Sequence, residues 1–131
     1  MDQDCDGRND YDQDLDGYNA SNYGGSDCND QNSLIHPGAS ETWYDGVDQD
    51  CNGRSDYDQD GDGYNSSSYG GNDCNDTNTG YNPGAYDIPY DGADTNCDGL
   101  SDYDADHDGY DSTLFGGLDC NDYAAAIRPN A

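Results

Sequence analysis

The sequence predicts little regular secondary structure and a tandem array of 46-residue repeats, on three observations. Leu, Ile, Val and Phe together number only 10 among 131 residues, too few for a hydrophobic core that offsets the backbone entropy lost on folding. Helical periodicity is absent, and the 18 Gly residues favour turns. The six cysteines recur every 23 residues, which marks an internal repeat.

The repeats divide the chain into residues 1–46, residues 47–92 and residues 93–131. The first two repeats are identical at 30 of 46 aligned positions, and the third lacks the last seven residues. Because the chain begins and ends inside the pattern, we expect a slice of a longer array or a protomer that meets its neighbour end to end.

The charge balance excludes several classes of partner. The net charge is −27, there is no Lys, and the three Arg residues are Arg8, Arg54 and Arg128. Nucleic acid is not an expected partner, because phosphate binding requires Lys and Arg. No apolar run approaches the ~18 residues of a membrane helix, so no membrane span is expected. Composition alone is typical of disorder, whereas the placement of Asp and Cys is not.

Each repeat carries two successive runs of the form D-x-[DN]-x-[DN]-G. This is the front half of an EF-hand-type calcium loop, in which oxygens at positions 1, 3 and 5 converge, Gly at position 6 makes the turn, and the carbonyl at position 7 adds a ligand. Six runs in phase predict about two Ca²⁺ ions per repeat rather than a solvated acidic tail, with Mg²⁺ and Mn²⁺ as alternatives. The predicted ligands are Asp2, Asp4, Asp6 and Arg8; Asp12, Asp14, Asp16 and Tyr18; Asp48, Asp50, Asn52 and Arg54; Asp58, Asp60, Asp62 and Tyr64; Asp94, Asn96, Asp98 and Leu100; and Asp104, Asp106, Asp108 and Tyr110, with each position-7 residue acting through its carbonyl.

The closing ligands must come from elsewhere, because position 12 holds no Glu. In the first run of each repeat, position 9 is acidic, and the acid at position 11 also opens the second run, where it can bridge two ions. For the second run, the nearest spare acids belong to the D-C-N-D motif. Asp45 and Asp91 are candidates to complete a site across a repeat boundary. The position-9 acids are Asp10, Asp56 and Asp102, and the D-C-N-D acids are Asp27 and Asp30, Asp73 and Asp76, and Asp119 and Asp122. We also expect one helical turn to start at the first Asp of each D-C-N-D motif.

These motifs resemble two known families. The D-x-D-x-D-G-x-x-D run at 2–10 is similar to thrombospondin type 3 repeats. The whole unit, with D-Q-D-C-N-G at 48–53, D-C-N-D at 73–76 and N-P-G-A at 82–85, more closely resembles the MopE-type metal-binding repeat of secreted bacterial proteins. This resemblance covers all of 1–131 and implies extracellular, metal-loaded modules, with calcium or sometimes copper as the metal.

Two departures bear on that resemblance. The family often has Cys before Asp-Gly, where this chain has Tyr44 and Tyr90, so one cysteine pair per repeat is missing. Copper requires imidazole or sulfur ligands. His36 and His107 do not recur in the other repeats, so we interpret them as surface histidines.

The cysteines are predicted to form disulfides in an oxidising exterior, since the clustered spacing of a zinc site is absent. Uniform spacing allows two pairings. Pairs within repeats leave no cysteine over and are the preferred prediction. The shifted pairing frees two cysteines for neighbouring chains. The first set is Cys5–Cys28, Cys51–Cys74 and Cys97–Cys120, and the second is Cys28–Cys51 and Cys74–Cys97, with Cys5 and Cys120 free.

Tyr residues and sequons also recur. The Tyr residues are interpreted as a small core that packs against the disulfides, with an exposed aromatic strip as the alternative. The glycosylation sequons at Asn19 and Asn65 occupy equivalent positions, and a third lies at Asn75, so covalent glycans are an expectation.

The predicted function is that of an extracellular structural calcium-binding protein, a rod or fibril subunit that associates with itself head to tail into a filament. The alternatives are a calcium-dependent adhesion or stalk module of a larger secreted protein, and an ion reservoir. We do not expect an enzyme, because the sequence offers no nucleophile–base pair and no recurring His. In the full prediction, the tandem repeats are stabilised by Ca²⁺ and disulfides and form an elongated rod.

Overall fold

A computed structural model describes Gln3 and residues 5–130. The chain divides into two compact units, Met1–Gln59 and Asp60–Ala131. Over the described residues, regular secondary structure is limited to short 3₁₀ helices and isolated parallel bridges. The helices are Ser21–Tyr23, Ser67–Tyr69 and Thr113–Phe115, and the bridges join Ala20 to Asp27, Ser66 to Asp73 and Ser112 to Asp119. The prediction of little regular secondary structure is confirmed.

Each 3₁₀ helix belongs to a hairpin-like turn that brings the D-C-N-D motif back beside the acidic run. In the first unit, the Ser21 amide donates to the Asp27 carbonyl (2.8 Å), and the Asp27 amide donates to the Asn19 carbonyl (3.1 Å). The Ala20 amide in turn donates to the Tyr11 carbonyl (2.8 Å). The first two bonds recur in the second unit at Asp73 and Asp119, and the third recurs from the Ser112 amide to the Tyr103 carbonyl.

The paired glycines make this turn sterically accessible. A Cβ atom at Gly71 would lie 2.0 Å from the Asn65 carbonyl oxygen, a distance that no side chain tolerates. The preceding Gly70 ends the 3₁₀ helix in the left-handed region, with φ of 90°, where Gly carries no Cβ penalty. The G-G pairs at 24–25 and 116–117 make the same close approach.

The helical turn predicted at the first Asp of each D-C-N-D motif is wrong; the 3₁₀ helices lie a few residues upstream. At Asp27 the side-chain Oδ1 instead accepts the Asn29 amide at 2.7 Å, which forms an Asx turn. The backbone amide of Asp27 is already held by Asn19. Local side-chain hydrogen bonding therefore replaces the helix.

The interior of the protein is acidic rather than apolar. The most deeply buried large side chains are Asp27, Asp73 and Asp119, exposed by 1%, 1% and 0%, whereas the buried apolar side chains among the described residues are those of Ala20 and Ile35. Aromatic pairs form at the periphery. The Tyr11 and Tyr23 ring centroids lie 5.1 Å apart, yet Tyr23 is 69% exposed. The aromatic residues thus make local contacts and also present exposed surface.

The disulfides join successive repeats, so the preferred pairing within repeats is wrong. Cys28 bonds to Cys51 and Cys74 to Cys97, each across 23 residues. Cys5 and Cys120 are exposed free thiols, and their assignment to disulfides is not borne out within the chain. Uniform spacing gives the two pairings equal loop lengths. They are distinguished by the fold, which places Cys28, just after the hairpin-like turn, beside Cys51 in the next acidic run.

Candidate metal centres

The second acidic run of each repeat and the D-C-N-D motif that follows it form one buried acidic cluster. In the first unit, carboxylate oxygens of Asp12, Asp14 and Asp16 lie within 4.8 Å of one another, as do those of Asp14, Asp27 and Asp30. The fold thus brings Asp27 and Asp30 of the D-C-N-D motif beside Asp14 of the second run. In the second unit, Asp73 interacts with Asp60, Asp62 and Asp76. Asp106 interacts with Asp108 and Asp119, and Asp104 and Asp122 accept amides of the same run.

Backbone amides shape each run into a tight loop around its carboxylates. In the third cluster, Asp104 Oδ1 and Oδ2 accept the amides of Asp108 (3.1 Å) and Gly109 (2.8 Å), and Asp108 Oδ1 accepts the Tyr110 amide (3.0 Å). The first cluster repeats this pattern, where the amides of Gly17 and Tyr18 donate to Asp12 and Asp16. In Asp12, Asp16 and Asp108 one oxygen thus fixes the loop and the other is left for a ligand, whereas Asp104 uses both oxygens to fix the loop.

The D-C-N-D acids are anchored in the same way. Asp119 Oδ1 accepts the Asn121 amide at 2.9 Å, and Asp122 Oδ2 accepts the Ala105 amide at 3.2 Å from the opposite side of the loop. In the first unit, Asp30 Oδ1 accepts the Gln13 amide at 2.9 Å. Because the Ala105 and Gln13 amides belong to the acidic runs, these two bonds hold Asp122 and Asp30 beside the runs.

Several carboxylate oxygens of the clusters are buried without hydrogen-bond donors from the described residues. They include Oδ2 of Asp14, Asp16, Asp27 and Asp119. An ionised carboxylate in such a position is costly unless it is paired with a cation or coordinates a metal. The ion pair that the described residues do show, Arg8 Nε to Asp6 Oδ2 at 4.0 Å, is exposed and lies outside the clusters. The clusters therefore fit a bound cation.

The raised pKa values of three cluster acids also reflect their burial beside other carboxylates. Burial raises the pKa of Asp14, and the neighbouring carboxylates of Asp16, Asp27 and Asp30 raise it further, although the Asp16 amide lowers it. Burial likewise raises the pKa of Asp73 and of Asp106, each beside other acids of its cluster. Without a cation, ionisation of these groups is disfavoured because like charges face one another in a desolvated site.

The first acidic run of each repeat forms the same loop in a more open setting. In the loop at 48–54, Asp48 Oδ1 and Oδ2 accept the amides of Asn52 (3.1 Å) and Gly53 (2.8 Å), and Asn52 Oδ1 accepts the Arg54 amide (2.7 Å). The loop at 94–100 matches it through Asp94, Asp98 and Leu100. In the first repeat, Asp6 Oδ1 accepts the Arg8 amide (2.8 Å), while Asp2 and Asp4 lie outside the described residues.

The sequence reasoning missed Glu41. Its carboxylate oxygens accept the amides of Gln49 (3.3 Å) and Asp50 (3.0 Å), and one of them lies within 4.8 Å of carboxylate oxygens of Asp48 and Asp50. The equivalent residue of the next repeat, Asp87, accepts the Thr95 amide at 2.9 Å. The sequence signal was an acidic residue at the equivalent positions 41 and 87. It lies upstream of the acidic run, whereas the closing ligand of an EF-hand lies downstream.

The remaining predicted ligands divide by environment. Asp56 is buried, its Oδ2 accepts the Gly46 amide (2.6 Å), and its Oδ1 has no donor among the described residues. Asp102 repeats this arrangement with Gly92, whereas Asp10 is exposed and accepts the Gln3 amide. Position 9 of the first run is therefore part of the fold in every repeat. Asp58 is half-buried, as are Tyr64, Asn96 and Tyr110, while Tyr18 is exposed. Asp45 and Asp91 are exposed, and each caps a local turn.

Among the described residues, the clusters named above contain neither histidine nor thiolate sulfur. The Tyr18 and His36 rings stack at 5.1 Å between centroids, and His107 is exposed. Cys28 and Cys51 lie near Asp27, and Cys74 and Cys97 near Asp73, but disulfide sulfur lacks the thiolate that binds metals. The donor set is oxygen, which suits hard cations such as Ca²⁺, Mg²⁺ and Mn²⁺.

The family comparison agrees with this geometry. The family model Cu-binding MopE, described as a "putative metal-binding motif", matches residues 1–11, 27–57, 73–103 and 119–131, more than half of the chain. Searches of curated proteins and of solved structures gave no match. Over the described part of the chain, no helix has the length and apolar character needed to cross a membrane.

Proposed function

The chain belongs to the MopE-type family of metal-binding motifs, and on that premise we propose that it is an extracellular, structural calcium-binding repeat protein. In this proposal Ca²⁺ fills the buried acidic clusters and replaces the missing apolar core. The single observation that carries the proposal is the burial of carboxylate oxygens, such as Asp27 Oδ2 and Asp119 Oδ2, with no donor or cation among the described residues.

Calcium is the cation that best suits this donor set. Ca²⁺ takes 6–8 oxygens in flexible geometry, whereas Mg²⁺ demands an octahedron and retains several waters. Five carboxylates converge on the first cluster, and a peptide carbonyl at position 7 adds another oxygen, as in EF-hand loops. The family name refers to copper, but Cu²⁺ favours imidazole nitrogen, and both His residues stand apart from the recurring positions.

The structural role rests on recurrence. The same cluster is built three times, and disulfides tie the D-C-N-D motifs of the first two repeats to the acidic loop of the repeat that follows. Repeats that contact their neighbours build extended arrays, so we propose a rod or fibril that grows head to tail. Disulfides point to an oxidising, extracellular location. The exposed sequon residues Asn19 and Asn65 are accessible to glycans there.

Calorimetric titration of the oxidised, metal-free chain with CaCl₂, MgCl₂ and CuCl₂ tests the metal. We expect Ca²⁺ to bind at several sites, about two per repeat, and to compact the chain in small-angle scattering and circular dichroism. EDTA should reverse this change while the disulfides stay intact.

A matched variant isolates the clusters. Asp27→Asn, Asp73→Asn and Asp119→Asn together remove one charge from each cluster and keep the Asx turn, because the amide oxygen still accepts the hydrogen bond. We expect this triple variant to lose compaction by Ca²⁺. If the parent chain is equally compact with and without Ca²⁺, or if Cu²⁺ binds in preference to Ca²⁺, the proposal is wrong.

A further inference from the structure

We propose that the residue before the proline in each repeat tunes the neighbouring acidic cluster, and that Asn82 makes the second cluster, which contains Asp73, a weaker Ca²⁺ site than the first. The inference deepens the calcium proposal above and rests on it. Three residues are equivalent at this position by the 46-residue period but differ in chemistry. They are His36, Asn82 and Arg128, which precede Pro37, Pro83 and Pro129.

The side chain at this position lies against the second acidic run of its own repeat. In the second repeat, Asn82 Nδ2 donates to Asp62 Oδ2, the position-5 carboxylate, at 2.7 Å. In the first repeat, the His36 ring instead stacks on the Tyr18 ring, with 5.1 Å between centroids. The same position therefore offers the second cluster a hydrogen-bond donor and the first cluster an aromatic contact.

Three contacts fix the orientation of the Asn82 side-chain amide. Its Oδ1 accepts the Gly84 amide at 2.9 Å, which forms an Asx turn. Its Nδ2 donates to the Thr79 carbonyl at 3.2 Å as well as to Asp62. Because both amide hydrogens and the acceptor oxygen are engaged, the donor stays directed at Asp62 in the metal-free chain.

Asp62 differs from its equivalents because the chain occupies both of its oxygens. Its Oδ1 accepts the Tyr64 amide at 2.9 Å, and its Oδ2 accepts Asn82. Asp16 and Asp108 also use Oδ1 to accept an amide two residues further on. Oδ2 of each is buried without a donor among the described residues. The second cluster therefore presents one uncovered oxygen fewer at position 5.

Arg128 shows that a donor at this position does not by itself cover the carboxylate. A guanidinium nitrogen of Arg128 donates to the Asp108 carbonyl at 3.5 Å, and Asp108 Oδ2 stays without a donor among the described residues. Arg128 is exposed, so salt screens its charge. Of the three equivalent side chains, it is that of Asn82 that bonds a carboxylate of the cluster.

The Asn82 amide opposes a cation at Asp62 in two ways. A hydrogen bond to a carboxylate stabilises its ionised form, so the metal-free cluster already offsets part of the charge that Ca²⁺ would neutralise. Asp62 Oδ2 keeps a second lone pair, but the amide hydrogen places positive partial charge beside any cation that uses it. The first and second clusters have Asp at the same positions, so this contact distinguishes their position-5 ligands.

Site-resolved NMR of the oxidised full chain during titration with CaCl₂ tests this ranking. The amides of Tyr18 and Tyr64 report on the first and second clusters, because each donates to the position-5 Asp of its run. In the parent chain, we expect the Tyr18 amide to respond at a Ca²⁺ concentration several-fold lower than the Tyr64 amide. The Asn82 side-chain resonances should shift together with the Tyr64 amide.

Two substitutions remove the donor and keep an acceptor for the Gly84 amide, namely Asn82→Ser and Asn82→Asp. We expect Asn82→Ser to raise the Ca²⁺ affinity of the second cluster several-fold, and Asn82→Asp to raise it further because it adds a negative charge. Asn78→Asp is the matched control. It adds the same charge to an exposed Asx turn, in which Asn78 Oδ1 accepts the Gly80 amide, and should leave the order of filling unchanged.

The metal-free chain supplies a second readout. In EDTA, Asn82→Ser should lower the midpoint of thermal unfolding, because Asp62 Oδ2 then lacks its donor. Lower stability without metal together with higher Ca²⁺ affinity separates this role from a merely structural one, which would lower both.

The reciprocal substitution His36→Asn should place a donor beside Asp16 in the first repeat. We expect the Ca²⁺ affinity of the first cluster to fall several-fold, while the response of the Tyr64 amide is unchanged. His36→Ala removes the stacking on Tyr18 without adding a donor, and it should leave the affinity of the first cluster close to that of the parent.

Equal filling of the two clusters in the parent chain would overturn the inference, as would an Asn82→Ser variant whose second cluster binds Ca²⁺ no more tightly than that of the parent. Either result would leave the calcium proposal standing, because the parent clusters would still bind the ion. If no cluster of the parent chain binds Ca²⁺, the calcium proposal fails and this inference fails with it.

Discussion

The buried acidic cluster and the open loop at 48–54 have the same sequence pattern but different surroundings. Both use Asp at position 1 to accept two amides of the turn. The cluster then adds two carboxylates from the D-C-N-D motif, of which Asp27 is 1% exposed. The open loop adds Glu41 from upstream, and its own carboxylates stay half-exposed. The turn itself is therefore common to both regions. The residues that close each loop determine how far its carboxylates are removed from water.

This difference implies two classes of cation site. Charges interact more strongly in a desolvated site than at an exposed one, and screening by salt weakens exposed sites more. We expect the buried clusters to bind Ca²⁺ more tightly and with less salt dependence than the open loops. The predictions below test that difference, from the largest expected effect to the smallest.

The disulfide Cys28–Cys51 links the two regions directly, because Cys28 follows Asp27 of the cluster and Cys51 lies in the open loop. Replacement of both cysteines by Ser should lower the free energy of unfolding by about 3 kcal/mol, since a loop of this length restricts the unfolded chain. Denaturant titration in saturating Ca²⁺ measures the change. An unchanged midpoint would mean that metal binding alone joins the regions.

Gly71→Ala should damage the cluster that contains Asp73 and spare the open loops. The new Cβ would lie 2.0 Å from the Asn65 carbonyl oxygen, so the turn must shift, at a cost of about 1–3 kcal/mol. Gly53→Ala is the control, because nothing lies within 4 Å of a Cβ there and its cost is the positive φ of 75° alone. Thermal unfolding should show the larger loss for Gly71→Ala.

Asp27→Asn should weaken Ca²⁺ binding at the first cluster at least about tenfold, or about 1.4 kcal/mol, because a buried carboxylate ligand loses its charge. Calorimetry should show one tight site fewer while the weaker sites remain. Equal weakening of all sites would show that the clusters and the open loops are not separate classes.

The raised pKa values of Asp14, Asp73 and Asp106 predict opposite pH dependence with and without metal. A raised folded-state pKa means that protonation favours the fold, so the metal-free chain should become more compact as pH falls from 7 towards about 4. The Ca²⁺-loaded chain should instead lose its ions over the same range, since protons compete for the carboxylates. Small-angle scattering in EDTA and in Ca²⁺ measures both trends. If the metal-free chain becomes less compact as the pH falls, the predicted direction is wrong.

Glu41→Gln should have the smallest effect, a reduction of a few-fold in affinity at the open loop. The Gln side chain keeps one acceptor oxygen and loses the charge beside Asp48 and Asp50. Site-resolved NMR of the Asn52 and Gly53 amides during Ca²⁺ titration reports this loop separately. An effect as large as that of Asp27→Asn would remove the distinction between the two regions.

Much of the candidate site could be predicted from local spacing. The D-x-[DN]-x-[DN]-G runs were enough to place the loop carboxylates, because turn geometry depends on neighbouring residues. Asp27 and Asp30 could be proposed as closing ligands from their nearness along the chain. Glu41 was missed, because it reaches the loop from upstream through the fold. The helical turn expected at Asp27 was wrong, since an Asx turn competes with a helix there.

The sequence by itself determined the repeat period, the scarcity of regular secondary structure and the acidic, oxygen-rich character of the sites, because each of these follows from composition and short-range spacing. Only the tertiary structure decided which cysteines pair and which carboxylates are buried. Uniform spacing makes the two cysteine pairings equal in loop length, so the entropy of closure cannot choose between them. The hairpin-like turn chooses, because it holds Cys28 beside Cys51 and turns Asp27 into the interior.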